Sequence, residues 1–485
     1  MIYEEVIELA KRRGFFWPSF SVYGGTRGFY DYGPLGVLMR DNIVRVWKEE
    51  YMREGAVFID TPVLAPQPVF KASGHIDRFS DLAVECPSCR SKFKLESVLK
   101  RNGIGKVPLN VEEANGVLTS VEVKCPECGA RLREAYDFNL MFPVQGKEET
   151  LYLRPETAQG IFVNFRLLNN VARNRLPMAA AQLGKGFRNE ISPRQGLIRM
   201  REFTQGEVEV FLDPERKEWK EIPDYEEILF VPNTGRPVRA TPRDAFETGI
   251  VKNKALAYFI LKTHRILTSV GIEKGKIRFR QHEKEELAHY ASDSWDAEAN
   301  LDDEWIEVVG IADRGTYDLS RHQQFSGQPL TVTVDGREIL PCVVEPSYGI
   351  DRIFMAVLMT SLYTRSNGFR VLRLPPHVAP YHAAVFPLQK KGLEERSRQL
   401  FESLQAKDPY IYYDESGSIG KRYARQDEIG TPFCITVDYQ TLEDDSVTVR
   451  FRDTAEQVRV QAKDLLESSD LLSFLEGLWK SREAV

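Results

Sequence analysis

The 485-residue sequence has no apolar run long enough to cross a bilayer, which excludes a helical membrane protein. Its opening residues are charged and amphipathic. They lack the apolar stretch of a secretory leader and carry acids that transit peptides avoid, so a cytoplasmic location is expected. There is no basic excess: the formal net charge is −6, so charge alone does not announce a nucleic-acid binder, although a local basic face could still dock a large RNA. No glycine-rich phosphate loop of the Walker type occurs, so any phosphate binding must use another device. Internal repeats and low-complexity tracts are also missing. What remains is an ordinary globular composition, 42% hydrophobic and 28% charged, long enough for two or three domains.

Cysteine is scarce, six in all, but four fall in two C-x2-C pairs, Cys86/Cys89 and Cys125/Cys128. Each tight turn aims two thiolates at one point, and two such knuckles give a closed tetrahedral zinc site with a structural rather than hydrolytic role. The stretch between them contains strand-like pieces such as LTSVEVK (118–124). Cys342 and Cys434 sit in apolar runs and read as buried core thiols.

Three zones divide the chain. A large first zone mixes helices with alternating strands, and the cysteine segment is inserted within it. A charged stretch over 213–281 reads as a second insertion, with a polar, proline-broken beginning and one amphipathic helix in NKALAYFILKTHRILTSVGI. A proline cluster at 375–380 marks a linker, after which strands and helices alternate as in a small α/β domain.

Three segments carry the chemistry. Residues 34–62 predict a long helix starting at Pro34 and ending at Gly55, then a strand stopped by Thr61-Pro62. Residues 180–211 predict an antiparallel hairpin. Alternation puts Arg188 and Glu190 on one face of its first strand, and Arg199, Arg201, Phe203, Gln205, Glu207 and Glu209 on one face of the second, unless a bulge intervenes. Such a face suits a polar site floor; taken alone, it also suits an exposed sheet with cross-strand ion pairs. In EPSYGIDRIFMAVLM, Gly349 and Arg352 open an apolar helix, a start built to meet an anion.

Together these segments resemble the class II aminoacyl-tRNA synthetases: a helix and strand ending at proline, a strand–loop–strand with Phe187-Arg188-Asn189-Glu190, and a strand–helix pair with Gly349-Ile350-Asp351-Arg352. Long stretches narrow the resemblance to the glycyl-tRNA synthetases of the homodimeric, archaeal/eukaryotic-like type: RPETAQGIFVNF (154–165), FRNEISPRQGLIRMREFTQGEVE (187–209), IEVVGIADRGTYDL (306–319) and EPSYGIDR (345–352). The resemblance covers nearly the whole chain and is least over 213–281. A sister synthetase for proline, threonine or histidine is the nearest alternative. A non-catalytic relative would lose the arginines that stand here, and a zinc-ribbon nucleic-acid binder would explain residues 86–128 alone.

The resemblance implies an α+β fold: an antiparallel β-sheet catalytic core flanked by helices over 1–371, with a zinc-binding insertion at 82–135 and the charged, helical insertion at 213–281, then an α/β anticodon-binding domain over 376–485. It implies ATP-dependent activation of glycine, transfer to tRNA(Gly), a homodimer, Mg²⁺ carried with ATP and structural Zn²⁺. Arg188, Glu190 and Arg352 are the implied catalytic set. ATP contacts are implied at Arg188, Asn189, Glu190, Ile198, Arg199, Met200, Arg201, Glu202, Phe203, Glu307, Val308, Gly349 and Arg352. Those to glycine are Glu156, Phe203, Thr204, Gln205, Glu207, Glu345, Ser347 and Gly349. Zinc is implied on Cys86, Cys89, Cys125 and Cys128.

Overall fold

Helix α1 (Ile2–Arg13) and a short hairpin, Phe16–Pro18 with Tyr30–Tyr32, lead into the long helix α2 (Pro34–Glu54). The computed structural model describes residues 2–483 except 106, 107, 192, 194, 285 and 289. Pro34 occupies the first turn of α2, where an N–H would have had no intrahelical partner. Gly55 takes φ 83°, the left-handed cap that returns its N–H to the last turn. Between these ends Leu35, Met39, Ile43, Val46, Trp47 and Tyr51 are buried on one stripe.

That stripe packs on a nine-stranded sheet. In chain order the strands are β1 (Val57–Phe58), β2 (Met178–Phe187), β3 (Glu202–Leu212), β4 (Ile228–Val231), β5 (Val238–Ala240), β6 (Ile277–Gln281), β7 (Asp293–Leu301), β8 (Glu304–Gly315) and β9 (Cys342–Gly349). Across the sheet they run β5-β4-β6-β7-β8-β9-β3-β2-β1. β1 is parallel to β2 and β4 to β6; the remaining pairs are antiparallel. This is the expected α+β architecture. Helices α2, α3 (Lys254–Ser269) and α4 (Ile350–Ser361) cover one face and form the main apolar core with it. The approach is close enough to require glycine on β3, because a Cβ on Gly206 would stand 3.0 Å from the Trp47 ring.

Residues 213–281 depart from the expected insertion. They supply β4, β5, β6 and α3, and so extend the central sheet and its helical cover. Alternate residues of β6, Ile277 and Phe279, are buried while the arginines between them are half-buried, so the segment's high charge belongs to its outer side. The lead-in DPERKEWKEIPDYEE does lack regular structure.

The last domain holds strands β10 (Ala383–Pro387), β11 (Ile411–Tyr413), β12 (Phe433–Val437), β13 (Ser446–Phe451) and β14 (Gln457–Gln461), ordered β11-β10-β12-β13-β14. Helices α5 (Glu394–Gln405) and α6 (Ile419–Ile429) pack on it, and α6 ends at Gly430 with φ 84°. The domain has its own core yet is tied down. Glu428 accepts from Arg12 at 2.9 Å and from Arg13 at 2.6 Å, and Ile429 belongs to the core of the large sheet.

Residues Ser80–Glu85, Lys92–Lys94 and Ala135–Asn139 form a three-stranded sheet over which helices Leu95–Arg101 and Val111–Ser120 fold. Of the strand-like stretch LTSVEVK, residues 118–120 instead end the second helix, which Asn110 caps by accepting the Glu113 N–H, while Val121 is extended and Lys124 makes a single antiparallel bridge to Arg131. Both cysteine knuckles have one geometry: the fifth residue, Arg90 or Gly129, is left-handed and bonds back to Cys86 O or Cys125 O. The four sulfurs lie within 4.8 Å of one another, with Cys86–Cys128 at 3.5 Å and Cys89–Cys125 at 3.7 Å. A tetrahedral ion with Zn–S bonds of about 2.3 Å separates its sulfurs by about 3.8 Å, so the donor set and spacing fit zinc. We expect close to one zinc per chain under reducing conditions. Cys125→Ser should lose it and expose residues 80–139 to limited proteolysis. Metal content below about half an ion per chain in the parent protein overturns this assignment.

Candidate active site

The second face of the sheet carries the polar residues. Strand register places Gln182, Glu207, Ser347 and Gly310 in one row across β2, β3, β9 and β8. The same register puts Ala180, Glu209, Glu345 and Ala312 in the next row. Beyond that row Phe162, Phe165 and Phe211 seal the face with an apolar cluster. In the other direction it opens into a cleft of about 250 Å³.

The hairpin differs in detail from simple alternation. β2 ends at Phe187, so Arg188 and Glu190 lie in the turn beyond it: Asn189 N–H donates to Leu140 O at 2.8 Å and Glu190 N–H to Arg188 O at 2.7 Å. The chain returns through a tight turn, Gly196–Ile198, and β3 starts at Glu202, so Arg199 and Arg201 also precede the strand. Arg188 nevertheless keeps the face that alternation assigns it, over Phe203 at the cleft, and its N–H donates to Arg201 O at 2.9 Å. Its guanidinium stands 5.3 Å from the Phe79 ring and 5.2 Å from the Phe203 ring, and its Nε donates to Pro155 O. Arg352, near the start of α4, donates from Nε to Ile198 O at 3.0 Å and from Nη1 to the Glu307 carboxylate at 2.9 Å. Two guanidiniums from distant segments therefore reach one cleft.

Glu190, Ile198, Arg199, Met200, Glu307, Val308 and Gly349 line the cleft between and around these arginines. Asn189, Arg201 and Glu202 do not line it. Arg201 instead donates to Glu190 O and Arg27 O, which braces the turn, and Glu202 pairs with Lys185 at 3.4 Å. The sequence reading missed Asp296 and Asp351. Asp296 faces the cleft from β7, with His282 Nε2 2.8 Å away; burial and the repulsion of Glu307 push its carboxyl up to about 6. Asp351 is buried and accepts from Tyr32 Oη and Thr204 N–H, which locks the head of α4 to both the N-terminal hairpin and β3. The one signal for Asp351 is its place inside the G-x-x-R run; Asp296 has none.

At the inner end of the cleft the chemistry becomes acidic. Glu156, Glu207 and Glu345 line it together with Gln205 and Ser347, and all three glutamates are buried. Glu207 accepts from Thr157 N–H at 2.6 Å and Ser347 Oγ at 3.0 Å; Gln205 donates to Ser347 at 2.7 Å. Glu156 accepts from Gln159 at 2.8 Å, with His75 Nε2 3.5 Å away. Arg314 lies beneath, fully buried, donating to Asp318 at 2.7 and 2.8 Å and to Glu345 at 2.8 Å. Burial raises the Glu345 carboxyl to about 8, with Glu207 and Glu156 adding to the rise and Arg314 opposing it. Burial and then Glu156 raise Glu207 as well. Glu156 goes the other way, because His75 and Arg314 outweigh the burial that opposes its charge. The site thus has a cationic outer end that suits phosphates and an anionic inner end that suits a small ammonium.

Arg154, also missed as a functional position, fills the space a side chain at residue 184 would need: a Cβ on Gly184 would meet Arg154 Nη2 at 2.0 Å. Its Nη1 reaches Thr61 O at 2.9 Å and its Nε reaches Lys185 O at 2.8 Å, so the end of the first motif is fastened to the hairpin.

Comparison with known proteins agrees with this geometry. Residues 136–230 match the family described as "tRNA synthetase class II core domain (G, H, P, S and T)", and residues 382–468 match "Anticodon binding domain". Among solved structures, prolyl-tRNA synthetase of Giardia lamblia, in complex with prolyl-adenylate, superposes with a TM-score of 0.62 at 17% identity, covering 99% of this chain and 80% of that one; this likeness concerns the fold. Curated relatives named glycine–tRNA ligase are much nearer. That of Thermococcus sibiricus is 40% identical over 97% of this chain and 99% of its own length. That of Methanothrix thermoacetophila is 40% identical over 95% of each. With the class II sheet, its two arginines and an acidic pocket joined in one cleft, the chain belongs to the glycine–tRNA ligase family.

Proposed function

We propose that this cleft activates glycine with ATP and that the product is passed to tRNA. The carrying observation is the polarity of one continuous cleft: Arg188 and Arg352 at its outer end, Glu156, Glu207 and Glu345 at its inner end. In the first step the glycine carboxylate attacks the α-phosphorus of ATP and pyrophosphate leaves, giving glycyl-adenylate. In the second, a hydroxyl of the terminal adenosine of tRNA attacks the acyl carbon and AMP leaves. The nucleophile of the first step is already an anion, so positioning and charge neutralisation do the work rather than a general base.

Arg188 would hold the α-phosphate and the substrate carboxylate together; its ring contacts with Phe79 and Phe203 fix its plane. Arg352 would hold the distal phosphates, and Phe203 offers a ring to adenine. Mg²⁺, which neutralises phosphate charge when bound with ATP, would be held by Glu307 with Asp296. Asp296, raised by burial and by Glu307, and Glu307, held down by Arg352, bring two carboxylates to the same end of the cleft, a donor set that suits a hard cation. The ammonium of glycine would meet Glu207 and Glu345, oriented by Ser347 and Arg314, with Glu156 close by.

We assign residues 1–371 to this catalytic unit and 376–485 to tRNA anticodon recognition, and a cytoplasmic place of action follows from the role in translation. Among the described residues no helix is long and apolar enough to cross a membrane. A homodimer is part of the proposal. The apolar stripe of α2 is used inside the chain, but β1 is an unpaired sheet edge beside exposed Phe58 and Leu64.

Arg352→Ala should abolish ATP–pyrophosphate exchange while the fold survives. The loss corresponds to about 3–4 kcal/mol of transition-state stabilisation, and near-normal exchange refutes the role. Glu345→Gln should raise the KM for glycine far more than that for ATP; an effect confined to ATP counts against the pocket assignment. Light scattering at micromolar concentration should give twice the chain mass, and Phe58→Glu should shift it toward the monomer. A monomeric parent protein sinks the dimer.

A further inference from the structure

Glu209 takes no part in the mechanism above, yet it lies one row behind the pocket floor. It is fully buried, and neither carboxyl oxygen has a hydrogen-bond partner among the described residues. The register that pairs Glu207 with Ser347 and Val210 with Val344 sets Glu209 directly opposite Glu345 on β9. Alanines 180 and 312 flank the two glutamates on the outer strands, so neither neighbour brings a donor to Glu209. Like charges in this cross-strand relation repel, and burial without donors penalises an ion further. Among the described residues Arg314 is the guanidinium that acts on Glu209, and it is spent on Asp318 and Glu345.

The other groups facing Glu209 do not relieve it. Glu207 lies on its own strand, Glu345 on β9, Asp318 on helix Tyr317–Ser326, and Glu156 beside Arg314; all are acids. β2 presents Ala180 and Gln182, and helix Ala158–Val163 has no titratable residue. Five carboxyls thus surround one arginine. Burial, followed by Glu345, raises Glu209 well above the usual carboxylate range. Glu345 differs from it in lining the cleft and holding Arg314, so it is the member of the pair that a ligand can reach.

We propose that Glu209 and Glu345 share one proton before substrate enters, and that the glycine ammonium displaces this proton, which makes Glu209 a positioning residue acting through Glu345. The inference rests on the reading of Glu345 as an ammonium contact. The balance is simple: the cation enters as NH₃⁺, one proton leaves the carboxyl pair to solvent, and the buried charge is unchanged. Without an acid at 209, Glu345 loses the like-charge neighbour across the strand and holds its proton less firmly; a second carboxyl keeps the proton on the pair.

The sign of the pH dependence follows. The bound state needs the pair deprotonated, so affinity for glycine rises with pH until the pair ionises by itself, near the value of about 8 reached by Glu345. One displaced proton means about a tenfold gain in affinity from pH 6 to pH 7. Calorimetric titration of the full-length enzyme with glycine, in buffers of different ionisation enthalpy, should show close to one proton released at pH 7. Glu209→Gln, which keeps shape but removes the acid opposite Glu345, should release clearly less than the parent enzyme and show less than the tenfold change over that pH range. Undiminished release in Glu209→Gln, or no release in the parent enzyme, overturns the proposal. Should the variant fail to fold, infrared difference spectra of the parent enzyme decide: glycine must bleach a protonated-carboxyl band, and an unchanged band refutes the idea. Failure of the underlying pocket reading shows separately, as unaltered glycine affinity in Glu345→Gln.

Discussion

A guanidinium taken wholly out of water has to be matched on every side, and Arg314 sets that condition at the heart of this protein. Its side chain has no solvent exposure, and it touches Asp318, Glu345 and the face of Tyr290, 3.7 Å from the ring centroid. Removing any one partner would leave a buried ion short of compensation, which is why such a network holds its members in place. Glu345 is thereby fixed in the middle of β9 and Asp318 at the start of its helix. The pocket is preorganised before a substrate arrives, and its carboxylates are costly to bury only until a cation enters among them.

The outer end of the cleft depends on a different device. Arg188 is positioned by backbone and rings, through Pro155 O, Phe79 and Phe203, while Arg352 is held by Ile198 O and by the carboxylate of Glu307. Held by a carbonyl and aromatic faces, the Arg188 guanidinium keeps its net charge available to phosphate. The turn that carries Arg188 is braced by Arg201 and by Leu140, and Leu140 follows directly on the strand that closes the cysteine-bearing subdomain. The zinc knuckles and the nucleotide end of the site are consequently parts of one mechanical unit.

Much of this was legible in the sequence because it depends on local rules. Pro34 and Gly55 bound α2, Gly430 ends α6, and two C-x2-C turns converge, each from the chemistry of a few adjacent residues. Arg188, Glu207, Glu345 and Arg352 were found through motifs. What could not be read depends on pairing between distant strands. Residues 213–281 looked like an insertion because their charge is visible and their place beside β7 is not. Asp296 enters the cleft only because β7 pairs with β8. Arg188 and Glu190 reach the expected face, but the turn beyond Phe187 that carries them is made by backbone bonds to Leu140 and Arg201, which lie far along the chain.

The two faces of β3 explain how so polar a site can exist on a stable sheet. Glu207 and Glu209 face the pocket and its floor. On the reverse of the same strand, Gly206 admits the Trp47 ring to within contact, and Val208 and Val210 are fully buried. Tyr51, Tyr348 and Thr263 join hydroxyls there at 2.9 Å, so these three groups are satisfied without water. Fully burying each large apolar side chain contributes roughly 1.5–3 kcal/mol, and α2, α3 and α4 supply many. The apolar face carries the stability, which leaves the other face free to hold several acids around one arginine. Because successive residues of one strand serve opposite purposes, a one-residue slip of β3 would exchange them, and neither the core nor the pocket would survive. The glycine site is in this sense a property of register, fixed by Trp47 over Gly206 as firmly as by any residue that faces the substrate.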